Sequence, residues 1–300
     1  MGTPSFVVPI FETLHSEHEI LAVFTRKPKP TGRKMILTKT PAHLWAESRS
    51  LPTYTNIKDF DAAPKPDYII VAAYGVILRD NILSAAPCIN VHPSALPKYR
   101  GAAPISTAIL NGDISGEICI MEMVNEVDAG AIYMREKFPI GENDTTDDIE
   151  NLVSERAGQL LLKYLANPDK YPPIPQTGIS TFTRKITNID LDIDWYKTPH
   201  EIHNQVRAIG GRATINGIDC KIIKTHLSNC HCKGEACGNP VNNGEQSELI
   251  IDIIQPAGKK TMPWKDFFNG QQGKCLICPC HPAIGFDIWI NTDGAVQTNS

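Results

Sequence analysis

Asn90 and His92 have the side-chain types and the spacing for acyl chemistry. They lie in Asn90-Val91-His92-Pro93-Ser94-Ala95-Leu96-Pro97-Lys98-Tyr99-Arg100-Gly101, where a short apolar stretch runs into prolines. Alternate side chains of a strand share one face, so Asn90 and His92 point the same way. An amide can hydrogen-bond an oxyanion as it develops, and an imidazole can polarise a carbonyl or carry a proton. Together they suit transfer of an acyl group. In an open α/β sheet ligands bind at the carboxyl edge, where strands give way to loops, and this pair sits at such a place. The same residues also suit a turn-forming asparagine and a hydrogen-bonded loop histidine. The chain holds no G-x-S-x-G elbow, no Walker loop and no G-x-G-x-x-G after its first strand.

The elements that must position this pair follow from apolar runs. HEILAVFT (18–25), DYIIVAAYGVI (67–77), CINVH (88–92), ICIMEMV (118–124) and AIYMREKFPI (131–140) read as strands. Continuous apolar strands between amphipathic stretches point to an α/β fold, a mostly parallel sheet covered by helices. Residues 147–165 read as the clearest helix, with Thr145 and Asp148 as a capping box and Ile149, Leu152, Val153, Leu160, Leu161 and Tyr164 at helical spacing. NPDKYPPIPQTG (167–178) has four prolines in twelve residues and reads as a linker. Beyond it, HEIHNQVRAIG (200–210) makes one short helix, and strand-like runs between Gly, Asn and Pro turns suggest a small β domain. Domains are therefore expected at 1–166 and 179–300.

The 300 residues suit two domains, and 42 % apolar against 21 % charged residues can fill a core. No apolar run approaches the roughly 18 residues that cross a bilayer, and the start lacks a signal-peptide layout. No membrane partner is expected, and a cytoplasmic protein is. Net charge is −4, so a general polyanion coat is excluded and any nucleic-acid contact must be local. A local site exists: Arg26, Lys27, Lys29, Arg33, Lys34 and Lys39 share the stretch 26–39 with no acid. Prolines and a glycine make it a loop, able to order on RNA with salt-dependent affinity. It also reads as an ordinary solvated charge run. Lys259 and Lys260 form a smaller basic spot.

The run INVHPSALPKYRGAAPI (89–105) closely resembles the signature of the folate-dependent formyltransferases. MGTPSF (1–6), KPKPTGR (27–33), AAYGVIL (72–78), VNEVDAG (124–130), IDWYKTPHEIHNQVRA (193–208) and QPAGKKTMPW (255–264) match as well. The resemblance implies a Rossmann-like formyltransferase domain followed by a small OB-like β barrel. It implies 10-formyltetrahydrofolate as donor, without a metal, and the methionine α-amine of initiator methionyl-tRNA as acceptor, acted on by a bacterial-type, cytoplasmic monomer. Carried over by position, Asn90 would hydrogen-bond the formyl oxygen and His92 would act with it. Asp128 of Val127-Asp128-Ala129-Gly130 would be the third member, orienting the imidazolium and helping to take the amine proton. Gly75, Val76, Ile77, Leu78, Ser94, Leu96 and Pro97 would line the folate. Arg33 sits where the family's arginine enters the acceptor stem, with Lys27, Lys29, Lys34, Lys259 and Lys260 as further RNA contacts.

The chain departs from the family pattern in places. Glu126, Val127 and Ala129 stand where glycine, leucine and threonine are usual, and Ala95 replaces the leucine of SLLP. The family has a short strand before the loop that Gly2-Thr3-Pro4 matches, so a strand upstream of Met1 is expected. The stretch after Trp264 has no counterpart in the resemblance. Of nine cysteines, Cys230, Cys232, Cys237, Cys275, Cys278 and Cys280 cluster with His231 and His281. They read as reduced thiols in a divergent barrel or as a zinc site lacking regular C-x-x-C pairs. Two other functions fit part of the chain: formylation of a small amine such as an amino-sugar nucleotide, and an inactive RNA-binding module.

Overall fold

Apolar runs become buried strands in a computed structural model that describes residues 1–32, 34–229, 247–271, 275–277, 288–290 and 293–298. The chain forms two units. Met1–Ile105, Ser115–Ile140 and Asp147–Arg184 make the first; Ser106–Ile114, Gly141–Thr146 and Lys185–Ser300 make the second.

In the first unit, α1 (Val7–Glu17) buries Val7, Ile10, Phe11 and Leu14, one helical stripe. Then come β1 (Val23–Phe24), β2 (Lys29–Thr31), β3 (Ile36–Thr38), α2 (Pro41–Ser48) and β4 (Thr53–Tyr54). The basic stretch 26–39, read as a loop, is thus a hairpin in which β2 and β3 pair antiparallel. Next follow β5 (Ile69–Ala72), α3 (Asp80–Leu83), β6 (Cys88–His92), β7 (Arg100–Gly101), α4 (Pro104–Leu110), which from Ser106 onward belongs to the second unit, β8 (Ser115–Glu122), β9 (Ile132–Pro139), α5 (Thr146–Ala166) and β10 (Phe182–Thr183). The larger sheet has the order β5-β6-β8-β9. β5 and β6 are parallel, as are β1 and β4, whereas β8 runs antiparallel to both β6 and β9. Met1 and Gly2 run between β1 and β5: Gly2 N donates to Phe24 O and Ala72 N to Met1 O, each at 3.0 Å.

All five residues of β6 are buried. Ile89, Ile118 and Ile120 are fully enclosed, each worth roughly 1.5–3 kcal/mol of burial. α5 starts at Thr146, immediately after the expected cap, and buries Ile149, Val153, Ala157, Leu160, Leu161 and Tyr164. Burial holds the thiols of Cys88 and Cys119 up at about 11, so neither is nucleophilic near neutral pH.

The second unit contains α6 (Pro199–Ile209), with Pro199 at its first position, a Thr198/Glu201 capping box and Gly210 (φ 83°) at its end. Its strands are β11 (Gly211–Ile215), β12 (Ile218–Asn229), β13 (Ser247–Pro256), β14 (Met262–Pro263), β15 (Cys275–Ile277), β16 (Ile288–Ile290) and β17 (Val296–Thr298), with α7 (Trp264–Gly270) after β14. Asn216-Gly217, both at positive φ, turn β11 into β12, as a tight hairpin requires. The sheet order is β14-β13-β12-β11-β15-β16-β17, and Ala295 bridges back to Ile250 of β13, so the sheet curls on itself. Trp195, Ile202, Ile222, Ile254, Trp264 and Phe267 share its core. The stretch after Trp264, unexplained by resemblance, thus supplies α7 and three strands. Of the cysteine and histidine cluster, only the backbone of Cys275 falls among the described residues; Cys230, His231, Cys232, Cys237, Cys278, Cys280 and His281 lie outside them. Among the described residues no helix is long and apolar enough to cross a membrane.

His203 of α6 is buried. Its Nε2 donates to the Glu142 carbonyl at 3.1 Å, and its Nδ1 accepts from the Thr225 hydroxyl at 2.9 Å. Burial pushes its pKa below the ordinary 6.5. The unfolded chain therefore binds this proton at a higher pH than the folded one. Stability is complete above the unfolded pKa and falls as pH drops through it. Tm measured between pH 7.5 and 5 should decline, and the decline should be smaller in His203→Gln; an unchanged slope would remove His203 from the account.

Candidate active site

β6 presents Asn90 and His92 on one face, and the segment between β8 and β9 folds over that face to bring Asp128 between them. Asn90 Nδ2 donates to Asp128 Oδ1 at 3.3 Å. His92 Nδ1 lies 3.5 Å from Asp128 Oδ2, which also accepts the Gly101 N–H at 2.8 Å. His92 Nε2 lies 3.0 Å from the Tyr99 carbonyl oxygen, which can only accept. That nitrogen therefore carries a proton, and Nδ1 is the edge that faces Asp128. The His92 side chain is 5 % exposed and that of Asp128 16 %. A carboxylate this buried needs the three groups around it, since an unpaired one would be costly to desolvate.

Local backbone serves this arrangement. Asp128 has φ 48°, a left-handed conformation that costs a non-glycine residue about 1–3 kcal/mol. A Cβ on Gly130 would overlap the Glu122 carbonyl oxygen, so only glycine lets the loop pass β8 there. Gln176 holds the loop from outside: its Nε2 donates to the carbonyls of Asp128 at 2.7 Å and Gly130 at 2.9 Å. Arg100, buried, donates to Gln176 Oε1 and to Glu126 Oε1, the latter at 2.8 Å. The unusual Glu126 thus gains a partner, while Val127 is exposed.

The remaining expected residues are distributed more widely. Leu78 is buried in the cluster around Phe24 and Val71, and Val76 packs against it half-buried. Gly75 and Ile77 are exposed, Ile77 to 80 %, and Pro97 is half-buried. Leu96 belongs to a buried cluster with Cys119, Met121 and Ile132. The buried Ser94 gives its hydroxyl proton to Lys98 O at 2.7 Å, stapling the loop. Lys27, Lys29 and Lys34 are exposed on the hairpin of the first unit, and Lys259 and Lys260 are exposed in the second. Arg33 lies outside the described residues. The hairpin is rooted by Arg26, which donates to Tyr74 O at 3.2 Å and to Gly75 O.

Residues 1–165 match the family model described as formyl transferase, and residues 185–272 match the formyl transferase C-terminal domain. The chain belongs to the formyl transferase family. It is 37 % identical to methionyl-tRNA formyltransferase of Rickettsia massiliae (strain Mtu5) over 287 residues, which span 90 % of this chain and 95 % of that one. It is 34 % identical to the methionyl-tRNA formyltransferase of Cereibacter sphaeroides, over 90 % of this chain and 94 % of the relative. Among solved structures, an N-formyltransferase from Helicobacter canadensis in complex with folinic acid and dTDP-3-aminofucose shares the fold: TM-score 0.61 at 22 % identity, covering 99 % of this chain and 97 % of that one.

Membership of the formyl transferase family brings Asn90, His92 and Asp128 to notice from sequence, but not the residues that hold them. Arg100 and Gly101 lie inside the run 89–105 with no role assigned by resemblance, and Gln176 lies in the proline-rich segment 167–178 that reads as a linker. The one local hint is a polar residue whose backbone is fixed by prolines at 172, 173 and 175. Gly130→Ala should lower stability by about 1–3 kcal/mol, the ordinary cost of forcing atoms into a packed place; a urea unfolding midpoint unchanged from wild type would refute the close approach to Glu122.

Proposed function

We propose that this chain transfers the formyl group of 10-formyltetrahydrofolate to the α-amine of methionine on initiator methionyl-tRNA, in the cytoplasm and as a monomer. The observation that carries the reading is the meeting of Asn90, His92 and Asp128 on one strand face, in a chain so similar to methionyl-tRNA formyltransferases. The amine nitrogen attacks the formyl carbon, a C–N bond forms, and the carbonyl oxygen gains charge. The Asn90 amide has two N–H groups; one goes to Asp128 and the other is left for that oxygen. His92 Nδ1 and the Asp128 carboxylate stand together where the attacking amine must lose a proton. The bond from the formyl carbon to the folate nitrogen then breaks, and that nitrogen takes up one proton, so the overall exchange is neutral.

For the folate, the exposed Gly75 and Ile77 with the half-buried Val76 offer an apolar edge beside an accessible backbone, the surface a flat ring binds, and the buried Leu78 anchors that edge in the core. Pro97 lies on the adjoining loop, whereas Leu96 and Ser94 support it from within. For the RNA, Lys27, Lys29 and Lys34 supply phosphate contacts, joined by Arg33 of the same basic stretch of sequence and by Lys259 and Lys260 as a second contact. Met35, Ile36 and Leu37, all exposed on the same hairpin, add apolar surface of the kind that meets unpaired bases. A small amine would need neither feature, which favours RNA as the acceptor.

His92→Ala and Asp128→Asn should each reduce formyl transfer to methionyl-tRNA by roughly 100-fold or more, the usual contribution of acid–base groups; undiminished transfer by either variant would refute its role. Replacing Lys27, Lys29 and Lys34 together by Ala should raise KM for the tRNA while leaving KM for the folate unchanged. The dependence of log affinity on log salt should become shallower by roughly 2 to 3, since each of the three lost phosphate contacts removes about 0.7–0.9. An unaltered slope would take the hairpin out of the RNA interface.

A further inference from the structure

The segment between α5 and the second unit is not a passive spacer. On one side of Gln176, Ile174 exchanges both backbone hydrogen bonds with Ile132 of β9, at 2.8 and 2.9 Å. On the other, Thr181 N donates to Pro97 O at 3.2 Å and Thr181 O accepts from Arg100 N at 2.8 Å. The Thr181 hydroxyl accepts from Tyr99 N at 2.8 Å, and β10 pairs with β7. The segment is therefore pinned to β9 and to the loop that follows His92, with Gln176 between the two attachments.

The amide of Gln176 uses all of its hydrogen-bonding capacity there. Both N–H groups go to the Asp128 and Gly130 carbonyls, at 2.7 and 2.9 Å. The oxygen receives Arg100 Nε at 3.2 Å and Nη2 at 2.9 Å. The two carbonyls are those of the residue at φ 48° and of the glycine two places on, so the amide grips the turn that aims the Asp128 side chain. Arg100 in turn reaches Glu126 at the start of that turn.

We propose that Gln176 is a positioning residue for formyl transfer: with Arg100 it clamps the Asp128 loop so that the carboxylate faces His92 and Asn90. The inference rests on the reading of Asp128 as catalytic. The discriminating substitution is Gln176→Glu, which keeps the size and the acceptor for Arg100 but loses the donor. It also sets a carboxylate oxygen against two carbonyl oxygens.

Formyl transfer to methionyl-tRNA should be measured for wild type, Gln176→Glu, Gln176→Ala, Asp128→Asn and Asp128→Asn/Gln176→Glu. Both Gln176 variants should lose kcat by roughly 10- to 100-fold, as a misplacement of about 1 Å does, with KM for folate unchanged. In the Asp128→Asn background the same change should cost less than threefold, because the group it positions is already disabled. Full kcat in Gln176→Glu, an additive loss in the double variant, or a parallel loss of folate affinity would each overturn the clamp. Full activity of Asp128→Asn would instead overturn the catalytic reading beneath it.

Discussion

A carboxylate, largely buried, is held facing an imidazole, and the surrounding part of the first unit is organised around that contact. Asp128 has no fixed cation beside it among the contacts described. Its oxygens are served by the Asn90 amide and the Gly101 N–H, and His92 Nδ1 lies 3.5 Å from Oδ2. Neutral donors satisfy the carboxylate without a fixed cation, as the role of a base proposed for it requires. A buried Arg in direct contact would have made a stronger pair and a poorer base. The nearby Arg100 is instead turned to Glu126 and Gln176.

The sheet explains how residues so far apart in sequence reach this point. β6 is buried on every residue, so a slip of register would turn Ile89 and Val91 onto the face that Asn90 and His92 occupy. β8 runs back alongside it, with Ile89 opposite Glu122 and His92 opposite Cys119. The chain leaving β8 must therefore fold over the strand face to reach β9. Glycine at 130 lets it pass the Glu122 carbonyl, and a left-handed turn at Asp128 points the side chain inward. The strain of that turn is offset by hydrogen bonds to its carbonyls, which is the logic of a preorganised site.

What the residues alone disclosed follows the range of the interactions involved. Local patterns were legible: β6 spans the apolar run 88–92, α5 begins after Thr145, and α6 closes at Gly210. Asn90 and His92 were legible as a strand-face pair, and Asp128 through its motif. The Arg100–Gln176 contact joins residues 76 apart, and no periodicity or spacing carries such information. A proline-rich run also signals only that helix and ladder are interrupted. It does not distinguish a free linker from a strap whose backbone bonds go to other segments. The folate candidates divide for a related reason. Apolar residues in one motif read alike, yet Leu96 and Leu78 are core while Ile77 is exposed.

Net charge illustrates the same difference between sum and place. A total of −4 says that the molecule as a whole does not attract a polyanion. Charges in physiological salt act over about 8 Å, so distant acids contribute little at the hairpin. There Lys27, Lys29 and Lys34 stand exposed, with Met35, Ile36 and Leu37 among them. Arg26 fixes the root of that hairpin to the carbonyls of Tyr74 and Gly75, at the apolar edge assigned to the folate. The basic hairpin and the edge at Gly75 are therefore tied together within one unit, so the proposed RNA contact and the proposed folate contact need no excess of positive charge over the molecule as a whole.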